Sequence, residues 1–210
     1  MIRNTVATLA LTLLLTLHSQ ACLADDPVIP DDKFVYCTVC HGMQLRGIEQ
    51  LQAPRLSGMD AWYVRKQLDA FSKNWRGAHA KDYAGMEMRP MAAILSAPEI
   101  AEAADFVSKT RSPMPEATVA GDAVRGEKLY TSCGVCHGTR AEGNEGLGAP
   151  ALVGGSDWYL ARQIRNFRDG IRGASPADMY GVQMRAAASV LPDDDAVDDI
   201  VAYLNTLQPE

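Results

Sequence analysis

Cys37-Thr38-Val39-Cys40-His41 and Cys133-Gly134-Val135-Cys136-His137 are the segments of this chain in which reactive side chains stand at a chemically meaningful spacing. A Cys-x-x-Cys-His segment can present two thiols to the vinyl groups of one haem while the adjacent imidazole faces the iron from one side. Each copy therefore predicts one covalently bound haem c, attached through Cys37 and Cys40 or through Cys133 and Cys136, with His41 or His137 as an iron ligand. The competing uses of paired cysteines are a four-cysteine zinc site, a pair of disulfides and a thioredoxin-type dithiol. A zinc site has no need of histidine directly after each pair. A thioredoxin-like site expects strands, and no run here alternates as a strand would.

A closed low-spin haem needs a sixth ligand. Beyond His18, the histidines are His41, His79 and His137, too few for bis-histidine ligation in the second half. The repeat offers a better answer. Offset by 96 residues, the chain matches itself at Cys37, Cys40 and His41, then at Ala53-Pro54, Leu56, Gly58, Trp62-Tyr63, Gln67, Phe71, Arg76-Gly77-Ala78, Asp82, Gly85, Met88-Arg89 and Leu95. Such self-similarity marks a duplicated domain. The first copy has Met43, Met59, Met86, Met88 and Met91, the second Met179 and Met184, and only Met88 aligns with a methionine, Met184. A lone methionine normally fills core. Two aligned ones opposite two haem motifs predict sixth ligands, with Met86, Met91 and Met179 as alternatives. His79 aligns with Ser175 and is expected at the surface.

The elements that must position these groups read as short helices, so the fold class is all-α. Val197, Ile200, Val201, Leu204 and Leu207 recur at helical spacing in a closing helix, Ser96-x-x-Glu99 forms a capping box before its counterpart, and Asp193, Asp194 and Asp195 put negative charge at the start of the last helix. After Leu95 the register slips by one, so Phe106 meets Tyr203. Asp122 to Thr131 predicts a full opening helix in the second copy, with Gly126 and Tyr130 facing the closing helix near Tyr203. Pro27 and Pro30 predict a short one in the first. The carbonyls of Pro54 and Pro150 stand where they can accept a hydrogen bond from the ligating imidazole. Trp62, Trp158, Tyr63 and Tyr159 either wall the haem or fill core, and Arg76, Arg172, Arg89 and Arg185 either pair with propionates or face solvent.

Residues 1–24 begin with Arg3, run through about 12 apolar residues and end in small ones, a secretory signal too short for the ~20 residues of a membrane span. Lipid attachment at Cys22 competes, although Ser19 stands where a lipobox prefers an aliphatic residue. The domains are thus expected at 25–116 and 117–210, parted at Arg111-Ser112-Pro113-Met114-Pro115-Glu116, whose prolines forbid a continuous helix. The formal charge of -6 argues against nucleic acid and suits a basic docking partner.

With those residues in view, the chain resembles the diheme class I cytochromes c, most closely the cytochrome c(4) group, over almost all of its length after the signal. Cys37 to Gly42, Cys133 to Gly138, the Ala-Pro-x-Leu segments and the Met-Arg-x-x-Ala segments carry the resemblance. It implies two tandem all-helical cytochrome c domains related by an approximate two-fold, each wrapped around one haem. It also implies a periplasmic electron carrier between respiratory components, such as a quinol-oxidising complex and a terminal oxidase. The alternatives are a cytochrome subunit of a membrane-bound dehydrogenase or reductase, with peripheral membrane association, and a diheme peroxidase or thiosulfate-oxidising enzyme. An enzyme needs an open or unusually ligated iron, whereas all four cysteines after Cys22 are used in thioether links and both copies offer a methionine. An electron-transfer protein fits better.

Overall fold

The computed structural model describes residues 34–207, so the signal segment, Cys22 and the prolines expected to shorten the first opening helix lie outside the described residues. The described chain is helical, with four α-helices in each copy. These are α1 (Val35–His41), α2 (Ala61–Ser72), α3 (Tyr83–Ala93) and α4 (Ala97–Lys109), then α5 (Ala123–His137), α6 (Asp157–Arg168), α7 (Met179–Ala188) and α8 (Asp194–Leu204). Extended pairing among the described residues is limited to two isolated bridges at equivalent positions, Ile48 with Ala53 and Asn144 with Ala149. Residues 110–122 join α4 to α5 without helix, and Glu116, the expected boundary, lies in that segment.

Local signals explain where the helices start. Glu99 accepts the backbone N–H of Ser96 at 2.8 Å, closing the expected capping box on α4. Asp193 accepts from Ala196 N at 2.8 Å at the start of α8, and Asp122 accepts from Val124 N and Arg125 N at the start of α5. The apolar stripe of α8, Val197, Ile200, Val201 and Leu204, is buried as its spacing requires. Leu207 lies beyond the end of α8 but still packs against the cluster around Tyr130 and Ile200. In each copy an aromatic pair joins the opening and closing helices. Phe34 stacks on Phe106 with ring centroids 5.7 Å apart, and Tyr130 meets Tyr203 at 5.5 Å. Since Phe34 aligns with Tyr130, these pairs bear out the one-residue slip that sets Phe106 against Tyr203.

One carboxylate ties the linker to the second copy. Asp157, only 2% exposed, accepts from Thr118 N at 2.6 Å, Val119 N at 2.7 Å, Thr118 Oγ1 at 2.8 Å and Asn205 Nδ2 at 3.1 Å. Burial works to raise its pKa, yet the N–H groups of Val119 and Thr118 hold it below the usual aspartate value on balance. A depressed carboxylate stabilises the fold above the ordinary carboxylate range, and the stabilisation is lost as pH falls through its own lower value. Asp157→Asn should therefore cost about 2–3 kcal/mol at neutral pH, the worth of hydrogen bonds to a charged group. In urea titrations the gap between variant and parent should close as pH drops through and below the carboxylate range. An undiminished gap in acid would assign the loss to packing instead.

Candidate haem-binding site

Each Cys-x-x-Cys-His histidine is the last residue of its helix, and the next residue, Gly42 or Gly138, turns the chain away. The His41 carbonyl then accepts from Gly47 N and that of His137 from Gly143 N, both at 2.8 Å, which pins the two loops alike. His41 Nδ1 lies 2.7 Å from the Pro54 carbonyl oxygen, and His137 Nδ1 lies 2.8 Å from that of Pro150. A carbonyl can only accept, so the proton sits on Nδ1 and leaves the Nε2 lone pair free for a metal. Burial lowers the pKa of both imidazoles, against the opposing effect of the proline carbonyls. Each ring is thus oriented through Nδ1, and burial favours its neutral, metal-ligating form. Cys37 and Cys133 stand one turn earlier on the same helices and Cys40 and Cys136 directly before the histidines, and burial pushes the thiols of Cys37 and Cys133 up. Among the described residues no three His, Cys, Asp or Glu come close enough to hold a metal ion together, so the four-cysteine zinc arrangement is not formed.

The methionines ride on α3 and α7, whose placement depends on a matched set of small residues. Asp82 accepts from Gly85 N at 3.1 Å and Asp178 from Gly181 N at 2.9 Å, starting the two helices. Gly77 and Gly173 have φ of +71° and +75°, and a Cβ on either would come within 2.2 Å of the carbonyl oxygen of Gly85 or Gly181. Only glycine permits both the left-handed turn and the close approach. The aligned Arg-Gly and Asp-x-x-Gly identities are therefore what bring the helices bearing Met88 and Met184 against their arginine loops. Met88 and Met184 are half-buried, while Met86, Met91 and Met179 are exposed. Met86 lines a separate cleft with Phe71, Asn74 and Arg89.

In the second copy Cys133, Cys136, His137 and Met184 open onto one cavity of about 400 Å³, with Met179 also in its wall. The cavity crosses to the first copy, where Tyr63, Lys66, Gln67 and Trp75 complete the lining. Lys66 Nζ lies 3.8 Å from the centre of the Tyr180 ring across this boundary. At the equivalent position Arg162 instead donates to the side chain and backbone oxygens of Gln52.

The two sites meet through a reciprocal network. Arg76 Nη1 donates to Gln67 Oε1 at 2.7 Å, and its Nη2 to Tyr159 OH at 2.5 Å and Gln163 Oε1 at 3.2 Å. Arg172 Nη1 donates to Gln163 Oε1 and its Nη2 to Gln67 Oε1, both at 2.7 Å, with Tyr63 OH at 3.4 Å. Since residue i of one copy meets j of the other and j meets i, the contact is isologous, as an approximate two-fold requires. Both arginines are 7% exposed, which rules out the solvent-facing reading. Each guanidinium also lies 4.4 Å from a ring centre of its own copy, Phe71 or Phe167. The Arg76 Nε is buried without an acceptor. A buried donor so left costs free energy, and a haem propionate is the kind of group that would satisfy it. In the second copy the apolar cavity, the paired thiols and the free Nε2 together fit a covalently held haem.

Arg89, by contrast, spends its Nε on Asn74 Oδ1 at 2.7 Å, Arg185 is exposed, and His79 is exposed as expected. Two contributors escaped the sequence reading, Asp157 and Arg55. Their only signal was a charged residue where the other copy has alanine, Ala61 and Ala151 respectively.

Comparison with known proteins agrees with this geometry. The Cytochrome c family profile matches twice, over residues 34–111 and 123–208. A thiosulfate dehydrogenase electron acceptor from Stutzerimonas stutzeri is 34% identical, covering 80% of this chain and 76% of that protein. Cytochrome c4 from Azotobacter vinelandii is 28% identical over 93% of this chain and 97% of its own length. The solved cytochrome c4 of Acidithiobacillus ferrooxidans superimposes with a TM-score of 0.66 at 27% identity, covering 81% of this chain and 98% of that one. Two tandem helical units, each with its own attachment segment, and relatives that carry or accept electrons lead to one assignment. The chain belongs to the cytochrome c family, as a diheme electron-transfer member of the cytochrome c4 type with two covalently bound haem c groups.

Proposed function

We propose that this protein is a periplasmic carrier that accepts electrons from a thiosulfate-oxidising dehydrogenase and passes them to a respiratory partner such as a terminal oxidase. In this reading His41 with Met88 and His137 with Met184 hold the two irons, and the four cysteines fix the rings. The carrying observation is the reciprocal Arg76/Arg172 network, which joins the two sites through buried side chains in one unit. Electrons can then enter at one copy while a second protein docks at the other. The choice of donor rests on relatives from Stutzerimonas stutzeri and Thiomonas intermedia, both 34% identical and named as electron acceptors of thiosulfate dehydrogenase. A structure of the thiosulfate dehydrogenase TsdBA from Marichromatium purpuratum adds support, with 27% identity and a TM-score of 0.65 over 82% of this chain and 36% of that one.

The described part of the second copy, residues 117–207, carries eight Lys and Arg against twelve Asp and Glu, whereas residues 34–116 carry ten against nine. A basic partner is therefore drawn to the second copy, and salt weakens that step. Stopped-flow mixing of the oxidised protein with thiosulfate and such a dehydrogenase should give rapid uptake of two electrons per chain. The rate should fall by about tenfold between ~10 mM and ~0.5 M salt. Steady-state turnover with peroxide should stay at background. Refusal of electrons from the dehydrogenase would remove that donor, and robust peroxide turnover by the untreated protein would replace the carrier reading with an enzymatic one. A subunit of a larger oxidase is the second reading, favoured by 32% identity to the FixP subunit of a cbb3-type oxidase from Bradyrhizobium diazoefficiens, of which this chain covers 50%. Co-purification with a membrane complex would decide for it. No described helix is long and apolar enough to cross a membrane.

A further inference from the structure

Close to the two histidines the copies differ in charge at several positions; Arg46 against Glu142 and Gln44 against Arg140 place their charges on exposed side chains, whereas Arg55 against Ala151 places a full charge that is buried. We propose that Arg55 raises the reduction potential of the haem held at His41 above that of the haem held at His137, so that a single electron shared by the two sites rests on the first copy. The proposal builds on the assignment of these histidines as iron ligands.

The hydrogen bonds to the imidazoles do not distinguish the copies, at 2.7 Å to Pro54 and 2.8 Å to Pro150. The next residue does, being Arg55 in one and Ala151 in the other. Arg55 is 8% exposed, and its backbone N–H, in the same peptide unit as the Pro54 carbonyl, donates to Ser156 Oγ of the second copy at 3.1 Å. Its guanidinium donates to Ser112 Oγ and O, to Ser57 O and Oγ, and to Gly154 O. Every acceptor is neutral, and the charge that bears on it most is another cation, Arg111. Asp157 follows Ser156 in the chain, but its oxygens are taken by Thr118, Val119, Trp158 and Asn205.

An arginine does not lose its proton in a protein. A cation whose hydrogen-bond partners among the described residues are all neutral opposes the extra positive charge of ferric iron and so favours the ferrous state. The internal step moves one electron: the second site goes from ferrous to ferric as the first goes from ferric to ferrous, and no bond or proton is exchanged. This charge should bias that equilibrium about tenfold towards the first copy, which for one electron is about 59 mV.

Redox titration of the haem-loaded protein tests this. Arg55→Gln removes the charge, and Ser112→Asp sets a carboxylate beside Arg55 Nε without removing it. Both should lower one potential by about 59 mV and leave the other in place. Arg55→Lys, which keeps the charge and loses the fork of hydrogen bonds, should hold both potentials. Repeating Arg55→Gln with Met184→Ala, where the second site titrates far lower, should show that the remaining upper step is the one that moves. Equal shifts in Arg55→Lys and Arg55→Gln, a shift of both potentials together, or no shift in Ser112→Asp would overturn the proposal. A wrong ligand assignment would show separately, as an unchanged spectrum in Met184→Ala.

Discussion

Met184→Ala should halve the red charge-transfer absorption that iron-sulfur ligation gives the oxidised protein, and should lower one of the two potentials by on the order of 0.2 V. Axial ligands set haem potentials over a span of ~0.8 V, and exchanging a thioether for water or a stray donor covers a sizeable part of it. The expectation rests on position. Met184 is half-buried on α7 and shares one cavity with Cys133, Cys136 and His137. Asp178, Gly181 and Gly173 hold that helix in place. Met179 lines the same cavity but leaves 66% of its surface exposed. Met88→Ala should produce the matching loss in the first copy. Absorption spectra with a redox titration check both variants. A spectrum unchanged in Met184→Ala would pass the role to Met179, and one unchanged in Met88→Ala would pass it to Met86 or Met91.

Gly126→Ala should damage the second copy although it adds a single methyl group to a helix interior. Alanine ordinarily favours a helix interior over glycine by about 1 kcal/mol, so the substitution would stabilise an isolated α5. Here a Cβ would come within 1.9 Å of the Asp199 carbonyl oxygen and 3.0 Å of the Tyr203 Cβ. Both contacts are in α8, whose own position is held by Asp199 accepting from Asp122 N and Arg125 Nη1, each at 2.7 Å. The helices would have to separate, losing the Tyr130–Tyr203 contact and moving Cys133, Cys136 and His137 at the far end of α5. Overpacking typically costs about 1–3 kcal/mol, so at the top of that range the net loss after the helix gain should be about 2 kcal/mol, a sizeable share of the ~5–15 kcal/mol that folds a typical domain. The midpoint of chemical unfolding should fall with the slope unchanged. A variant as stable as the parent would mean that α5 and α8 can slide apart without cost.

The chemistry of this protein was legible before any coordinates because it is written in short-range pattern. Thioether attachment needs two cysteines and a histidine within five residues, helix starts need a cap and its partner three residues on, and a duplication repeats its identities at a constant offset. The offset also led to the carbonyls of Pro54 and Pro150, which lie 2.7 and 2.8 Å from the histidine Nδ1 atoms, and to the alignment of Met88 with Met184, the pair proposed as sixth ligands. It led as well to the pairing of the opening and closing helices, in which Phe106 and Tyr203 take equivalent places once the slip after Leu95 is allowed for.

What the pattern left open were charges whose partners are distant in the chain. Arg76 and Arg172 read equally well as solvated or buried, because an arginine in a sequence says nothing about what lies 83 or 105 residues away, the separations to Tyr159 and Gln67. Arg55 and Asp157 drew no reading at all for the same reason. Only the docking of one copy on the other, which brings Ser156 and Gly154 to Arg55, and the return of the linker onto α6, which brings Thr118 and Val119 to Asp157, made them buried and paired with neutral groups. Each copy's own sequence determined that it holds a haem. The packing between copies decided which charges are buried beside the sites and what they pair with, because burial is settled only when both halves are in place.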